Sequence, residues 1–212
     1  GGTLTTSGDI NTSDDNVTFT NAVTLGGAVD IDTTGTAAGN ILFSSTVGTG
    51  GNNLTLDGGA AGDITLSGAV TGGGDLTVRD GAVQSYSALT VNLVDIQDAT
   101  TSVTFGGELT ATATIDVLSG GTIVQNAAVA SGTNLDYDAG GTIGINSTIG
   151  VSGTVDIDST GVTTVAAGGD ITAGGAVTFG GTLGGTLTTS GDIDTSDDNV
   201  TFTNAVTLGG AV

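Results

Sequence analysis

One seven-residue pattern of apolar and small residues recurs along the whole chain. It begins with a β-branched residue, often followed by Thr and a large apolar residue, and it closes with small residues and an apolar one. The copies are VTFTNAV (17–23), ILFSSTV (41–47), ITLSGAV (64–70), VQSYSAL (83–89), VTFGGEL (103–109), IVQNAAV (123–129), IGINSTI (143–149), VTTVAAG (162–168), VTFGGTL (177–183) and VTFTNAV (200–206). Successive copies start about twenty residues apart, a spacing typical of solenoid proteins.

A second, alternating pattern follows seven of these copies after a short link of Gly, Ser and Thr. It reads AVDID (28–32), NLTLD (53–57), DLTVR (75–79), LVDIQ (93–97), TIDVL (114–118), NLDYD (134–138) and TVDID (154–158). Alternation of apolar and polar residues is typical of a β-strand with one buried face. We therefore predict an all-β chain in which each twenty-residue unit is one coil of a parallel β-helix, or β-solenoid, with two or three short strands.

The same alternation predicts which side chains form the core. Val17, Phe19 and Val23 should point inward, followed by Val29 and Ile31 of the second pattern. All five Phe fall on the third position of the first pattern, so the register predicts that they stack in one sheet. The least regular unit is 162–176, where no clear second strand follows the first pattern.

The two ends of the chain are nearly identical. Residues 1–29 and 184–212 differ only where Asn11 becomes Asp194, which gives a period of 183 residues holding about nine coils. We expect residues 1–212 to be one continuous solenoid segment of a tandem array, internal to a longer polypeptide and continued by the next repeat.

Composition fits this prediction. The chain has 40 Gly for tight corners and no Pro, which suits strands whose every N–H pairs with a neighbouring coil. The main alternative is an array of immunoglobulin-type sandwiches, but aromatic residues make up only 3% of the chain and the short period dominates.

The charge excludes several functions. A net charge of −21 should repel nucleic acid and anionic membranes, and no apolar run is long enough to span a bilayer. His and Cys are absent, which removes the usual nucleophile and base pairs, and Asp residues on exposed strands lack the burial that acid–base catalysis needs. We predict that the chain is not an enzyme.

The outward positions of the second pattern carry many Asp residues. Reading down the coils gives one column, Asp30, Thr55, Thr77, Asp95, Asp116, Asp136 and Asp156, and a second column, Asp32, Asp57, Arg79, Gln97, Leu118, Asp138 and Asp158.

Like charges about 5 Å apart repel by roughly 1 to 3 kcal/mol per contact, depending on the effective dielectric. One hypothesis is that Ca²⁺ bridges the carboxylates and relieves this repulsion, because hard cations prefer oxygen ligands. Its candidate ligands are Asp116, Asp136, Asp138, Asp156 and Asp158. The alternative is a solvated acidic face that keeps a long fibre soluble.

A threonine column is a further candidate surface. It comprises Thr18, Thr65, Thr104, Thr163, Thr178 and Thr201, interrupted by Leu42, Gln84, Val124 and Gly144. Flat threonine ladders bind ice in some solenoids, but these interruptions favour the plainer explanation, which is the high β-propensity of Thr.

Two segments resemble a known group of proteins. The runs GGDITAGGAVTFGGTLGGTLTTSGDI (168–193) and GDITLSGAVTGGGDLTV (62–78) are similar to filamentous haemagglutinin-like giant repetitive surface proteins of bacteria. The resemblance covers essentially the whole chain, although the nearly perfect 183-residue duplication is unusual for such proteins. It implies a right-handed parallel β-helix, export across the cell envelope, and a stalk or adhesive role at the cell surface.

We therefore expect a structural, extracellular fibre or stalk segment whose direct partner is the next repeat, with possible lateral contacts between fibres. The alternative is an adhesin module that binds other cells or surfaces and is stiffened by Ca²⁺.

Overall fold

The computed structural model describes residues 2–180 and 183–210, and all the regular structure in these ranges is β-strand. In chain order the strands are β1 (Leu4–Thr6), β2 (Ile10–Asn11), β3 (Val17–Phe19), β4 (Val23–Leu25), β5 (Val29–Asp32), β6 (Ile41–Phe43), β7 (Val47–Gly48), β8 (Leu54–Asp57), β9 (Ile64–Leu66), β10 (Val70–Thr71), β11 (Leu76–Asp80), β12 (Val83–Tyr86), β13 (Leu89–Val91), β14 (Val94–Ile96), β15 (Ser102–Phe105), β16 (Leu109–Ala111), β17 (Ile115–Ser119), β18 (Thr122–Gln125), β19 (Val129–Ser131), β20 (Leu135–Ala139), β21 (Ile143–Ile145), β22 (Ile149–Val151), β23 (Val155–Ser159), β24 (Val162–Val165), β25 (Ile171–Ala173), β26 (Val177–Phe179), β27 (Thr186–Thr189), β28 (Ile193–Thr195), β29 (Val200–Phe202) and β30 (Val206–Leu208).

Every third strand belongs to the same sheet, so the chain winds through three parallel sheets in turn. Sheet A begins with β1 and β4, sheet B with β2 and β5, and sheet C with β3 and β6, and each sheet has ten strands among the described residues. One turn of the chain is therefore one strand in each sheet, and the molecule is a β-solenoid of about ten turns. The predicted fold class is confirmed.

The seven-residue pattern spans a corner of this solenoid. In its first copy, Val17–Phe19 forms β3 in sheet C, residues 20–22 make the corner, and Val23 begins β4 in sheet A. The second pattern supplies sheet B, as β5 does with Val29–Asp32. Short β-branched runs separated by small residues thus specify three strands per turn.

A single apolar core runs along the axis inside the three sheets. Val17, Val23, Val29 and Ile31 are buried as predicted, and Phe19 is half-buried at the end of the core. The equivalent positions of the following turns stack on them, so each turn covers the apolar side chains of the one before. Burying one Val, Leu or Ile side chain contributes about 1.5–3 kcal/mol, and this gain is repeated in every turn.

Two turns differ from the predicted register by one residue. Gln84 and Thr163 point into the core, whereas Val83 and Val162 are exposed. Gln84 can be buried because its amide is satisfied: its Nε2 donates to the backbone carbonyl of Asp98 at 2.7 Å, and its Oε1 accepts from the Tyr86 hydroxyl at 2.7 Å. The Thr163 hydroxyl pairs with that of Ser159 at 3.0 Å.

Within 162–176, β24 and β25 continue sheets C and A, and no strand of sheet B occurs there, as the sequence pattern predicted. The following segment, 177–183, was predicted to start a new coil in the sheet of Val17. Its strand β26 instead pairs with β23 in sheet B, and positions 181 and 182 lie outside the described residues. Phe179 and Phe202 consequently stack on each other in sheet B, 5.7 Å apart between ring centroids, rather than in sheet C with the other three Phe.

Asn and Asp side chains tie successive turns together at the corners. The Asn16 side-chain oxygen accepts the backbone N–H of Asn40 at 2.8 Å, and Asn40 in turn accepts the N–H of Asp63 at 2.8 Å. Asn134 and Asp170 make the same contact at the other two corners, with Thr154 and with Asp192. Part of the Asp content thus serves the corners, where these side chains satisfy backbone groups.

Candidate functional site

The five predicted metal ligands lie together on the outer face of sheet B. Asp116 of β17, Asp136 of β20 and Asp156 of β23 are direct partners on neighbouring strands, and Asp95 of β14 extends this row to four. We call these four residues the acidic column. Asp138 and Asp158 form a second paired row beside it. In parallel sheets such partners are about 4.8 Å apart.

Strand alternation places these carboxylates outside. In β20, Leu135 and Tyr137 are buried in the core, while Asp136 and Asp138 between and after them face outward and remain half-buried among their neighbours. The register is fixed by the buried residues, because a shift of one position would move the apolar side chains to the surface. The core therefore holds the like charges in line.

Burial and like charge act together on Asp136. Partial burial, together with the carboxylates of Asp138, Asp116, Asp156 and Asp158, raises the pKa of Asp136 to about 6. Both effects disfavour the ionised form. Asp136 therefore takes up a proton at a much higher pH than an isolated aspartate does.

Three neighbours are affected in the same way. Burial raises the pKa of Asp116, Asp138 and Asp156, and a neighbouring carboxylate adds to it in each case: Asp95 for Asp116, and Asp158 for the other two. Asp116, Asp136, Asp138 and Asp156 therefore all take up protons at a higher pH than isolated aspartates do.

Asp158 differs from the others because it is buried. Its carboxylate oxygens accept the backbone N–H of Leu183 at 3.2 and 3.1 Å, so it anchors the loop that leads to β27. A carboxylate held by backbone N–H groups has fewer lone pairs left for a cation. In the structure, Asp158 accepts the backbone N–H of Leu183 and so holds this loop in place.

The arrangement of the carboxylates is linear. Between residues 2 and 180 and between 183 and 210, no group of three or more His, Cys, Asp or Glu side chains is placed to hold a metal ion. The rows run along the axis, with oxygens side by side rather than converging on one point.

The only basic residue, Arg79, lies outside its predicted position. A bulge between Val78 and Asp80 places Asp80, not Arg79, opposite Asp57. The Arg79 guanidinium reaches back to Asp30, with 2.8 Å between Nη2 and Oδ2. The sequence carried no sign of this ion pair, because it joins strands of sheet B that are two turns apart.

A second carboxylate with a defined role is Asp14, which the sequence did not single out. It adopts a left-handed backbone conformation, φ 68°, and its side chain reaches the loop after β5. It accepts the backbone N–H groups of Ala37 and Ala38 at 2.6 and 3.0 Å and the Thr36 hydroxyl at 3.0 Å. The Ala37 hydrogen bond is the main cause that lowers the pKa of Asp14.

The predicted threonine column does not form a continuous surface. Thr163 points into the core, and Thr178 and Thr201 lie in sheet B, whereas Thr18, Thr65 and Thr104 lie in sheet C. The flat ladder that ice binding requires is therefore broken.

A scan of protein-family models found no match to this chain, and searches of curated proteins and of solved structures found none either. Among the described residues, none of the secondary structure is a helix that could cross a bilayer.

Proposed function

We propose that this chain is a structural segment of an extracellular fibre or stalk built from tandem β-solenoid repeats. One observation carries the proposal: three parallel sheets continue without interruption from β1 to β30, around a single buried core that runs from Val17 to Leu187. Each turn buries the apolar side chains of the previous one, so length can be added without a new kind of contact. The resemblance to bacterial surface proteins supports the extracellular location.

The acidic surface fits this role. With a net charge of −21, neighbouring fibres repel each other, and the sheets are protected from sticking side by side. The Asp residues at the corners and on sheet B keep the outer faces hydrated while the core stays apolar.

The test is electron microscopy of a chain that contains several 183-residue repeats. We expect a thin, continuous rod whose length grows by roughly 42 Å per repeat and which gives an axial spacing of about 4.8 Å. Separate beads, or a rod without that axial spacing, would contradict the proposal, because folded domains on a string do not share parallel sheets.

A second candidate function is an adhesin module stiffened by Ca²⁺, and the acidic column favours it. Four consecutive turns present Asp95, Asp116, Asp136 and Asp156 in line, so a divalent cation would relieve repulsion in each contact. The test is a calcium titration followed by thermal unfolding, with NaCl at equal ionic strength as the control. A saturable rise in Tm that Asp136→Asn reduces would support cation binding. A rise no larger than that produced by NaCl would reduce the effect to screening and remove this candidate.

A further inference from the structure

The two copies of the repeated sequence lie in different sheets. Residues 17–19 form β3 in sheet C, whereas the identical residues 200–202 form β29 in sheet B. The same holds for residues 23–25, which are in sheet A, and their copy 206–208, which is in sheet C. Identical sequence therefore recurs on a neighbouring face of the solenoid, one face back along the winding order A, B, C.

The strand count explains this displacement. β29 is the twenty-sixth strand after β3, and three strands make one turn, so 183 residues occupy eight turns and two strands. Strand pairing confirms the two strands left over after eight full turns. Thr201 is the partner of Thr178 in sheet B, and Thr207 is the partner of Thr188 in sheet C.

The last described turn is exposed where its copy is covered. Phe202 is 43% exposed and Leu208 is 64% exposed, whereas the equivalent Leu25 is buried. In the first copy, Phe19 lies against Phe43 of the next turn with 4.6 Å between ring centroids. The structure thus shows, within one chain, what covers a turn that differs only in having Asn11 in place of Asp194: the strands β5, β6 and β7, within residues 29–48.

The corner of the last turn also has the backbone conformation that its covered counterpart has. Asp197 has φ 66°, matching φ 68° at the equivalent Asp14, which holds the loop formed by residues 36–38. A non-glycine residue in the left-handed region costs free energy unless contacts compensate. In the first copy the compensation is the set of hydrogen bonds from that loop.

We propose that the turn formed by β28, β29 and β30 is a docking surface for the part of the following repeat that is equivalent to residues 29–48, and that every repeat is thereby rotated by one face about the fibre axis. This inference rests on the proposed tandem array. The partner is another copy of the same sequence, joined in the same chain, and its strands add to sheets A, B and C in the order that the first copy shows for sheets B, C and A.

The rotation determines how the fibre presents its surfaces. An acidic column on sheet B in one repeat recurs on sheet A in the next and on sheet C in the third. Three repeats make twenty-six turns, so the true surface period is roughly 125 Å, although the sequence period is 183 residues. A partner that recognises this column would find it on all three sides of the fibre.

Disulfide cross-linking tests the rotation, since the chain has no Cys of its own. The pair Thr164→Cys/Thr188→Cys lies on neighbouring strands of sheet C and should cross-link under mild oxidation. If the second copy instead returned to the sheets of the first, residues 177–179 would follow β24 in sheet C and residue 178 would lie beside residue 164, so Thr164→Cys/Thr178→Cys is the competing pair. The pair Thr90→Cys/Thr110→Cys, which is internal to sheet A, is the positive control.

We expect the control pair and the 164–188 pair to cross-link and the 164–178 pair to remain reduced. A cross-link in the 164–178 pair, or none in the 164–188 pair while the control forms, overturns the rotation. Neither result affects the fibre proposal, which is decided by the micrographs of the multi-repeat chain.

The docking surface is tested in a chain of two repeats. One cysteine replaces Thr201, and the other replaces the residue 183 positions after Leu42, because Leu42 is the partner of Thr18 in the first copy. We expect this pair to cross-link. A folded two-repeat chain in which it does not cross-link overturns the docking surface, even if the rod itself is continuous.

Discussion

Asp136 and Asp156 are direct partners on neighbouring parallel strands of sheet B, two carboxylates held in line by the core beneath them. Their spacing follows from the strand spacing and cannot relax without breaking the register of Leu135 and Tyr137. The repulsion between them is therefore built into the native state and is smaller in the unfolded chain.

The first prediction concerns pH. Because the pKa of Asp136 is about 6 in the folded chain and near 3.8 when unfolded, the folded state binds more protons between these values. The stabilisation that protonated Asp136 gives the folded state is therefore complete below about pH 4, and it is lost as the pH rises through 6. We expect the free energy of unfolding to fall by about 1 kcal/mol from pH 4.5 to pH 7.5, a figure reduced for solvent screening.

Two variants locate this effect. Asp136→Asn should raise the Tm at pH 7.5 and flatten its pH dependence. Asp194→Asn is the matched control, because Asp194 is exposed, is partnered by Thr172 rather than by a carboxylate, and corresponds to Asn11 in the first copy. An unchanged pH profile in Asp136→Asn would show that the acidic column is not the cause.

A second prediction concerns the close approach of glycines at the corner between sheets B and C. A Cβ added to Gly141 would lie 2.7 Å from the carbonyl oxygen of Gly121 in the previous turn, so one of the two corners must shift. We expect Gly141→Ala to lower stability by about 1–3 kcal/mol. Gly144→Ala is the control, since its Cβ would have 3.9 Å to the nearest side-chain atom, and thermal unfolding should show no loss there.

A third prediction compares two buried tyrosines. The Tyr86 hydroxyl donates to Gln84 Oε1 at 2.7 Å, whereas the Tyr137 hydroxyl is buried without a hydrogen-bond partner in the part of the chain that the structure describes. Tyr86→Phe leaves the Gln84 oxygen unsatisfied and should cost about 1–2 kcal/mol. Tyr137→Phe should be neutral or stabilising. Equal losses in denaturant unfolding of both variants would contradict this explanation.

A fourth prediction concerns the loop held by Asp14. Asp14→Ala removes the acceptor for the N–H groups of Ala37 and Ala38, so their hydrogen exchange should become faster while that of Ile41 in β6 is unchanged. The same loss should appear in the natural chain as the pH falls through the lowered pKa of Asp14, which is opposite in sign to the effect of Asp136. Asp15→Ala, at the exposed neighbouring position, should leave all three amides unaffected.

Most of the fold could be predicted from periodicity, because every turn buries apolar side chains at equivalent positions of its three strands. The acidic column was predicted correctly from Asp95 to Asp156, since strand alternation fixes both the face and the partners. The register failed at Gln84 and Thr163, where polar side chains enter the core through hydrogen bonds that hydrophobic patterning does not encode.

The partial turn in the 183-residue period was missed for a related reason. The same three letters, VTF, form a sheet C strand at Val17 and a sheet B strand at Val177. A strand has no local preference for one of three similar sheets, so its place depends on how many strands precede it. Position along the solenoid is thus a property of the whole chain and not of the motif.

The backbone hydrogen bonds between turns, such as Val17 N–H to Asn40 carbonyl at 2.9 Å, point along the axis of the solenoid. A pulling force applied to the two ends of the chain therefore opens these bonds turn by turn instead of shearing whole sheets at once. Each turn that peels away replaces a rise of about 4.8 Å with about twenty extended residues, a gain in length of roughly 65 Å. A tether of this design would lengthen under load in many small steps, each of which leaves the remaining turns intact, and single-molecule stretching would show those steps as a regular sawtooth.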